Sequence, residues 1–122
     1  MFSEEQIDFF AANTEPSFVG LCLDTAHTTI AGMSAPDAFR KYAARIEYVH
    51  LKDVDPTSAA GPQPMSSFRA LGLGTVDFVG VLKGLRDGGY DGVLCVELDN
   101  PEVCNYNSAE VSRKYIRNAL KL

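Results

Sequence analysis

Three short apolar segments, each ending in acidic or imidazole side chains, constrain the fold of this chain more than any other feature. They cover residues 18–25, 46–53 and 93–99, and in each of them large apolar side chains alternate with small or polar ones. A period of two is typical of β-strands, whose successive side chains point to opposite faces. The pattern predicts three strands, each with one apolar face and one face that carries polar groups.

The polar face ends each predicted strand with side chains that can bind a metal ion or move a proton. By alternation, its members are Gly20, Cys22 and Asp24 in the first segment, Tyr48, His50 and Lys52 in the second, and Cys95, Glu97 and Asp99 in the third. An acid or a histidine at the end of each of three strands indicates a shared site.

Helix signals flank each predicted strand. The segment Glu4–Ala12 begins with a capping-box pattern, and its apolar residues recur at helical spacing. Three further helices are predicted to begin at the capping residues Ser34, Asp77 and Ser108, and residues 28–33 and 55–74 are predicted as loops. The resulting order is α-β-α-β-α-β-α, and strands that are joined through helices form a parallel sheet with right-handed crossovers.

The predicted strand ends bring Asp24, His50 and Glu97 together. In parallel α/β folds the functional groups gather at the carboxyl ends of the strands, and neighbouring strands lie only ~4.8 Å apart. Side chains from successive strand ends can therefore reach one ion at ligand distances of about 2.0 to 2.3 Å. Mixed oxygen and nitrogen ligands suit manganese, magnesium, cobalt or zinc, and residue type alone does not choose among them.

Charge and hydropathy limit the partners of the chain. Its 122 residues carry a net charge of −5 with no block of Lys or Arg, which argues against nucleic acid, since such binding depends on neutralising phosphates. No apolar run approaches the ~20 residues of a membrane-spanning helix, and we expect a cytoplasmic protein. The three cysteines fit no disulfide framework, and Cys22 and Cys95 are predicted to be small core residues.

Four motifs in order resemble a known superfamily: V-G-L-C-L-D-T-A-H, A-R-I-E-Y-V-H-L-K-D, G-L-G-T-V-D-F and G-Y-D-G-V-L-C-V-E-L-D. They are similar to the C-terminal portion of xylose isomerase-like TIM-barrel proteins, in the branch of sugar phosphate isomerases and epimerases, inosose dehydratases and inosose isomerases. The resemblance implies an α/β fold in which residues 1–122 form a single segment, the last three βα units of a (β/α)8 barrel.

The resemblance also implies roles for individual residues. Asp24, His50 and Glu97 match the metal ligands, while His27 and Lys52 match positions that contact the substrate. In those enzymes a divalent ion binds adjacent oxygens of a sugar or cyclic polyol and stabilises an enediolate, and two glutamates usually move the proton. Glu97 matches the second, catalytic glutamate; the first belongs to an earlier strand of the barrel than this chain supplies.

The function implied first is a metal-dependent sugar or polyol isomerase or epimerase, with a place in carbohydrate metabolism such as inositol catabolism. An inosose-type dehydratase is the alternative, because it begins with the same proton abstraction. A non-catalytic binding or assembly module is a third possibility, which the absence of the first glutamate favours for the isolated chain. A nucleic-acid endonuclease ranks last because of the acidity.

Structural interpretations of the same residues stay open. Asp24 could cap a turn, His27 could be a hydrogen-bonded loop residue, and Glu97 could pair with Lys52 as a partly buried ion pair. Three parallel strands with open edges also predict an association-prone unit. We therefore expect a homo-oligomer, a segment of a longer chain, or a remnant that packs differently.

Overall fold

The computed structural model describes residues 3–57, 68–99 and 104–122. The helices are α1 (Glu4–Ala12), α2 (Thr25–Ile30), α3 (Ala35–Tyr42), α4 (Phe78–Asp87) and α5 (Asn105–Tyr115). A 3-10 turn over Ala43–Arg45 follows α3, and a π-helical turn over Ile116–Leu120 follows α5. The strands are β1 (Leu21–Asp24), β2 (Ile46–Leu51), β3 (Asp53–Val54), β4 (Phe68–Arg69) and β5 (Val93–Val96).

The main sheet has three parallel strands in the order β1-β2-β5, as the sequence predicts. Its register places Asp24 level with His50, and His50 level with Cys95. Beyond the end of β5, the Glu97 N–H donates to the Leu51 carbonyl at 3.1 Å and continues the ladder. The carboxyl ends of all three strands therefore lie side by side.

One face of this sheet forms the core. Leu21, Leu23, Val49 and Leu51 are at most 8% exposed, and they belong to one apolar cluster with residues of α3 and α4. The two helices also pack against each other. On β1 and β2 the apolar half of the predicted alternation is therefore the buried half, whereas Val96 on the outer strand β5 is 39% exposed.

The opposite face is open, which corrects the prediction for the cysteines. Cys22 is exposed and Cys95 is only half-buried, and Tyr48 between them is 36% exposed. Mid-strand thiols become core residues only when both faces of a parallel sheet are covered. In the described residues no layer packs on this side, so Cys22 faces outward rather than into a core.

Two helix predictions need correction. Residues 28–30 of the segment predicted as a loop over residues 28–33 belong to a short helix, α2, which begins directly after Asp24. The last helix begins at Asn105 rather than after Ser108, because the Cys104 side chain accepts the Asn107 N–H and caps it. Ser108 is a buried position inside that helix. The starts of the other three helices agree with their predicted caps at Ser3, Ser34 and Asp77.

The predicted long loop over residues 55–74 contains a strand. Phe68–Arg69 pairs antiparallel with Asp53–Val54, so the chain returns to the end of β2 before it enters α4. Residues 58–67 of that loop lie outside the described residues. The return brings Phe68, which is 2% exposed, to the carboxyl ends of the main strands.

None of the helices in the described part of the chain is both long enough and apolar enough to cross a membrane.

Candidate metal centre

Three candidate ligands converge at the carboxyl ends of the parallel strands. Asp24 ends β1, His50 lies near the end of β2, and Glu97 directly follows β5. One ligand atom from each side chain lies within 4.8 Å of the other two, and His50 Nδ1 is 2.9 Å from Glu97 Oε2. Within the described residues this is the one group of three acidic, histidine or cysteine side chains close enough to share an ion.

Asp24 has one oxygen fixed by the backbone and one that accepts no hydrogen bond. Its Oδ1 accepts the N–H of His27 at 2.8 Å and caps α2, so the sequence alternative of a capping aspartate is realised as well. Its Oδ2 is buried and has no hydrogen-bond partner among the described residues. Buried polar atoms in native proteins are almost always satisfied. The orphaned oxygen is therefore a place where an additional cation fits.

The pKa values of the two carboxyl groups, Asp24 and Glu97, are shifted in opposite directions. Burial raises the pKa of Asp24 above its usual value, against the backbone hydrogen bond from His27 and the positive charge of Lys52. Burial also acts to raise the pKa of Glu97, but the hydrogen bond and charge of Lys52 outweigh it and hold that pKa below its usual value. Glu97 is therefore ionised at neutral pH, as a metal ligand requires.

Lys52 points into the same site, as the sequence predicts. Its side chain is 1% exposed, and Nζ lies 2.9 Å from Glu97 Oε2 and 3.6 Å from Asp24 Oδ2. Burial acts to lower the pKa of this ammonium, but the hydrogen bonds to Asp99 and Glu97 prevail and hold the pKa above its usual value. The ion pair between Glu97 and Lys52, which the sequence left open, is present.

His27 lies beside the group of three but not within it. Its side chain is exposed on the first turn of α2, and its ring meets the Phe68 ring edge-on with centroids 5.5 Å apart. An exposed imidazole next to Asp24 has room to contact a small molecule, which is consistent with the role that the resemblance implies for His27.

Two aspartates at the strand ends, to which the sequence analysis assigns no individual role, have defined roles in the structure. Asp99 Oδ2 accepts a hydrogen bond from Lys52 Nζ at 2.8 Å, so Asp99 belongs to the site. Its position two residues after Glu97, on the same face by alternation, was the available signal. The other residue, Asp53, points away from the site and is 1% exposed.

Asp53 organises the chain around the site. Its carboxylate accepts N–H groups from Gly72 and Gly74 at 2.9 Å each and from Val76 at 3.1 Å, in addition to that of Val54 at 2.9 Å. Three of these four backbone donors belong to the returning segment and hold it against β3. The G-L-G-T-V segment therefore binds the Asp53 carboxylate of its own chain through backbone N–H groups.

The residues present fit a divalent cation. Two carboxylates and one imidazole form a donor set that suits zinc, manganese, cobalt or magnesium. The unpartnered Oδ2 of Asp24 faces the other two side chains, and a cation there would satisfy it. The ligand types are thus compatible with several divalent metals and do not select one of them.

The parallel sheet with flanking helices and acidic and imidazole groups at its carboxyl edge defines a partial α/β barrel. A comparison with family models agrees: the model of the xylose isomerase-like TIM barrel matches residues 1–121, and the chain belongs to that family.

Curated relatives of this chain include an inosose dehydratase of Clostridium beijerinckii, which is 34% identical over 93% of this chain and 42% of its own length. An inosose dehydratase of Clostridium perfringens is 32% identical over 97% of this chain and 44% of its own length. The chain thus spans less than half the length of these relatives.

Solved structures share the fold. The IOLI protein, described with a binding zinc atom, superposes with a TM-score of 0.74 at 21% identity, over 95% of this chain and 42% of the other. An L-ribulose 3-epimerase superposes with a TM-score of 0.60 at 24% identity, over 91% of this chain and 33% of the other. At these identities the likeness establishes the fold alone.

Proposed function

We propose that this chain supplies the metal-binding portion of a divalent-metal-dependent dehydratase that acts on an inosose-type cyclic polyol ketone. The observation that carries the proposal is the convergence of Asp24, His50 and Glu97 around an orphaned carboxylate oxygen. The curated relatives at 31–34% identity are named inosose dehydratases, which favours this activity over isomerisation as the first candidate.

In this proposal Asp24, His50 and Glu97 hold the ion. When bound, a divalent ion acts as a Lewis acid that polarises a carbonyl oxygen and so acidifies the neighbouring C–H. Asp24 contributes the oxygen that accepts no hydrogen bond, while its second oxygen remains fixed by α2. The α2 cap orients the carboxylate, and a bound cation would favour its ionised form against the effect of burial.

Glu97 is the catalytic residue of the proposal. Its low pKa keeps it ionised at neutral pH, so that it can accept a proton from the carbon next to the substrate carbonyl. His27 and Lys52 are proposed to contact substrate oxygens, with the exposed imidazole on one side and the buried ammonium on the other. In a dehydratase the hydroxyl of the adjacent carbon would then leave as water, with the proton that Glu97 accepted returned to the departing oxygen.

A metal-dependent isomerase or epimerase is the second candidate. It requires the same proton abstraction and differs in returning the proton rather than losing a hydroxyl. A non-catalytic binding module is the third, and the Glu97–Lys52 pair at 2.9 Å supports it because that pair already neutralises the proposed base. We further propose that the chain is the C-terminal segment of a barrel in the cytoplasm, completed by more polypeptide or by other copies.

A deuterium exchange assay distinguishes the candidates. The chain with Mn²⁺ is incubated with an inosose in D2O, and the products are analysed by mass spectrometry and chromatography. A dehydratase gives a product that has lost one water. An isomerase or epimerase gives a product that keeps all its carbon and oxygen atoms and carries deuterium in place of one hydrogen. Glu97→Gln should abolish either reaction, while Glu110→Gln on the exposed side of α5 should not.

Neither reaction, in a chain that binds Mn²⁺, would support the binding module. A chain that binds no divalent ion would contradict the metal-dependent proposals altogether.

A further inference from the structure

The buried ammonium of Lys52 occupies the space in which a metal ion would meet its ligands. Its Nζ lies 2.9 Å from Glu97 Oε2 and 3.6 Å from Asp24 Oδ2, so it contacts two of the three proposed ligands. The Lys52 side chain is 1% exposed. In the metal-free protein Lys52 is the cation that neutralises the acidic group.

A divalent ion cannot bind all three ligands while the Lys52 ammonium stays in contact with Glu97. Oε2 of Glu97 is already shared between Lys52 Nζ and His50 Nδ1, each at 2.9 Å. Two positive charges at contact distance from one oxygen also repel each other. Metal binding therefore requires the ammonium to withdraw from Glu97.

The structure provides a second place for the ammonium. Asp99 Oδ2 accepts a hydrogen bond from Nζ at 2.8 Å, and Asp99 is not one of the three proposed ligands. The Phe68 ring lies on another side of Nζ, with its centroid 4.7 Å away, at a distance where aromatic rings attract cations. Asp99 and Phe68 can thus keep the ammonium after it has left Glu97.

The backbone of Lys52 is anchored, so only its side chain has to move. The Thr25 hydroxyl accepts the Lys52 N–H at 2.9 Å and donates to the Lys52 carbonyl at 2.6 Å. Thr25 is fully buried at the start of α2, directly after Asp24. A small movement of Nζ from Glu97 toward Asp99 leaves this anchor intact.

We propose that Lys52 is an exchangeable counter-cation: it holds the carboxylates of Asp24 and Glu97 together without metal, and it moves onto Asp99 when a divalent ion binds. The inference rests on the proposed metal centre and deepens it, since the displaced ammonium is the one that would then meet a substrate oxygen. Asp99 is a positioning residue, because it acts on the metal through Lys52.

Calorimetric titration with Mn²⁺ tests this exchange. Lys52→Met removes the competing charge and should tighten Mn²⁺ binding about threefold or more, while the metal-free variant unfolds at a lower temperature than the wild type. Mn²⁺ should therefore raise its unfolding temperature by more than it raises that of the wild type. Lys41→Met is the matched control, because Lys41 also bridges two carboxylates, Glu4 and Asp8, but on the outer helices.

A double-mutant cycle tests whether Asp99 acts through Lys52. Asp99→Asn alone should weaken Mn²⁺ binding about threefold, because among the described residues the ammonium then keeps only the carboxylates of the proposed ligands. In the Lys52→Met background the same substitution should have a clearly smaller effect. Equal effects in both backgrounds would mean that Asp99 acts only through its own charge, which overturns its positioning role.

A direct observation of the ammonium covers the case in which Lys52→Met does not fold. In the ¹⁵N-labelled wild type, diamagnetic Mg²⁺ or Zn²⁺ should shift the Lys52 Nζ resonance, and the Lys41 resonance should stay in place. An unshifted Lys52 signal at saturating metal, or Mn²⁺ binding by Lys52→Met no tighter than that of the wild type, overturns the exchange alone. A wild-type chain that binds no metal overturns the proposed centre together with the exchange.

Discussion

Oε2 of Glu97 lies 2.9 Å from Nδ1 of His50, across two strands that pair in parallel register. This contact brings an oxygen donor and a nitrogen donor to one point, and Asp24 completes the group from the third strand. Because a neutral amide is a poor metal ligand, we expect Glu97→Gln to weaken the binding of a divalent ion by roughly tenfold or more. Calorimetric titration measures the change.

Glu47→Gln is the matched control for that experiment. Glu47 lies on β2, the strand that carries His50, but its side chain is exposed and lies outside the group of three. The control should bind the ion as the wild type does. An unchanged titration of Glu97→Gln would remove Glu97 from the centre.

The burial of Asp24 predicts a pH-dependent gain in stability on its neutralisation. A carboxyl whose pKa is raised in the folded state binds its proton more tightly there, so it contributes stability at low pH that is lost as the pH rises through 3.8 and the raised pKa. Asn avoids this loss and retains the cap on α2. The metal-free Asp24→Asn variant should thus gain stability relative to the wild type as the pH rises from about 4 to about 7.

Urea unfolding at the two pH values measures this difference. The metal supplies the control, because Mn²⁺ at about one hundred times its Kd should stabilise the wild type by about 2.7 kcal/mol and leave Asp24→Asn unchanged. A variant that is less stable than the wild type at neutral pH without metal would show that the carboxylate is satisfied by Lys52 alone.

Asp53 is expected to matter for stability although it is far from the surface and points away from the ligands. In Asp53→Asn a side-chain N–H group would face backbone N–H donors, either those of Gly72 and Gly74 or those of Val54 and Val76. The expected cost is about 2–3 kcal/mol in the free energy of unfolding. Asp91→Asn, which changes an exposed loop aspartate before β5, should cost almost nothing. The four hydrogen bonds that the Asp53 carboxylate accepts from backbone N–H groups form a clamp. Similar losses of stability in both variants would contradict the stabilising role of this clamp.

Gly74 is the position where the clamp leaves no room for a side chain. A Cβ atom there would overlap the Asp53 carboxylate and lie 2.6 Å from the Val54 carbonyl oxygen. Gly74→Ala should therefore destabilise the protein by about 1–3 kcal/mol. Gly32→Ala is the comparison: Gly32 has a positive φ but nothing within 4 Å of its Cβ position, so only the backbone penalty of about 1 kcal/mol applies. If Gly74→Ala lost less stability than Gly32→Ala, this packing would be contradicted.

The edges of the main sheet predict association. The strands β1 and β5 are outermost in the order β1-β2-β5, and Val93 and Val96 on β5 are 54% and 39% exposed. Unpaired edges of this kind recruit further strands. Light scattering should give the purified chain a mass above that of the monomer, and Val96→Lys should lower it. Val79→Lys on the exposed face of α4 should not, and a monodisperse wild-type monomer would contradict the prediction.

The sequence was sufficient to predict the sheet and the residues that meet at its edge. Alternation put Asp24, His50, Lys52 and Glu97 on one face, and the parallel topology placed the strand ends side by side, so local patterns fixed the site. The family motifs added the roles that are proposed for these side chains. The strands themselves are shorter than the apolar segments, because each strand extends only as far as its backbone groups pair with those of a neighbouring strand.

Long-range contacts account for what the sequence did not predict. The clamp on Asp53 is made by backbone N–H groups of a distant segment, and backbone donors leave no mark in residue type. Cys22 is exposed because the described residues contain no layer on its side of the sheet, a property that alternation cannot report. The start of α5 depends on Cys104, a residue type outside the usual capping set.

The central claim is that Asp24, His50 and Glu97 bind one divalent ion together. Anomalous diffraction from crystals grown with Zn²⁺ tests it most directly, since the signal locates the metal without reference to any assay. One strong peak is expected at about 2.0–2.3 Å from a ligand atom of each of the three side chains. No peak at the carboxyl ends of the strands, or a peak held by other side chains such as Cys104, would contradict it.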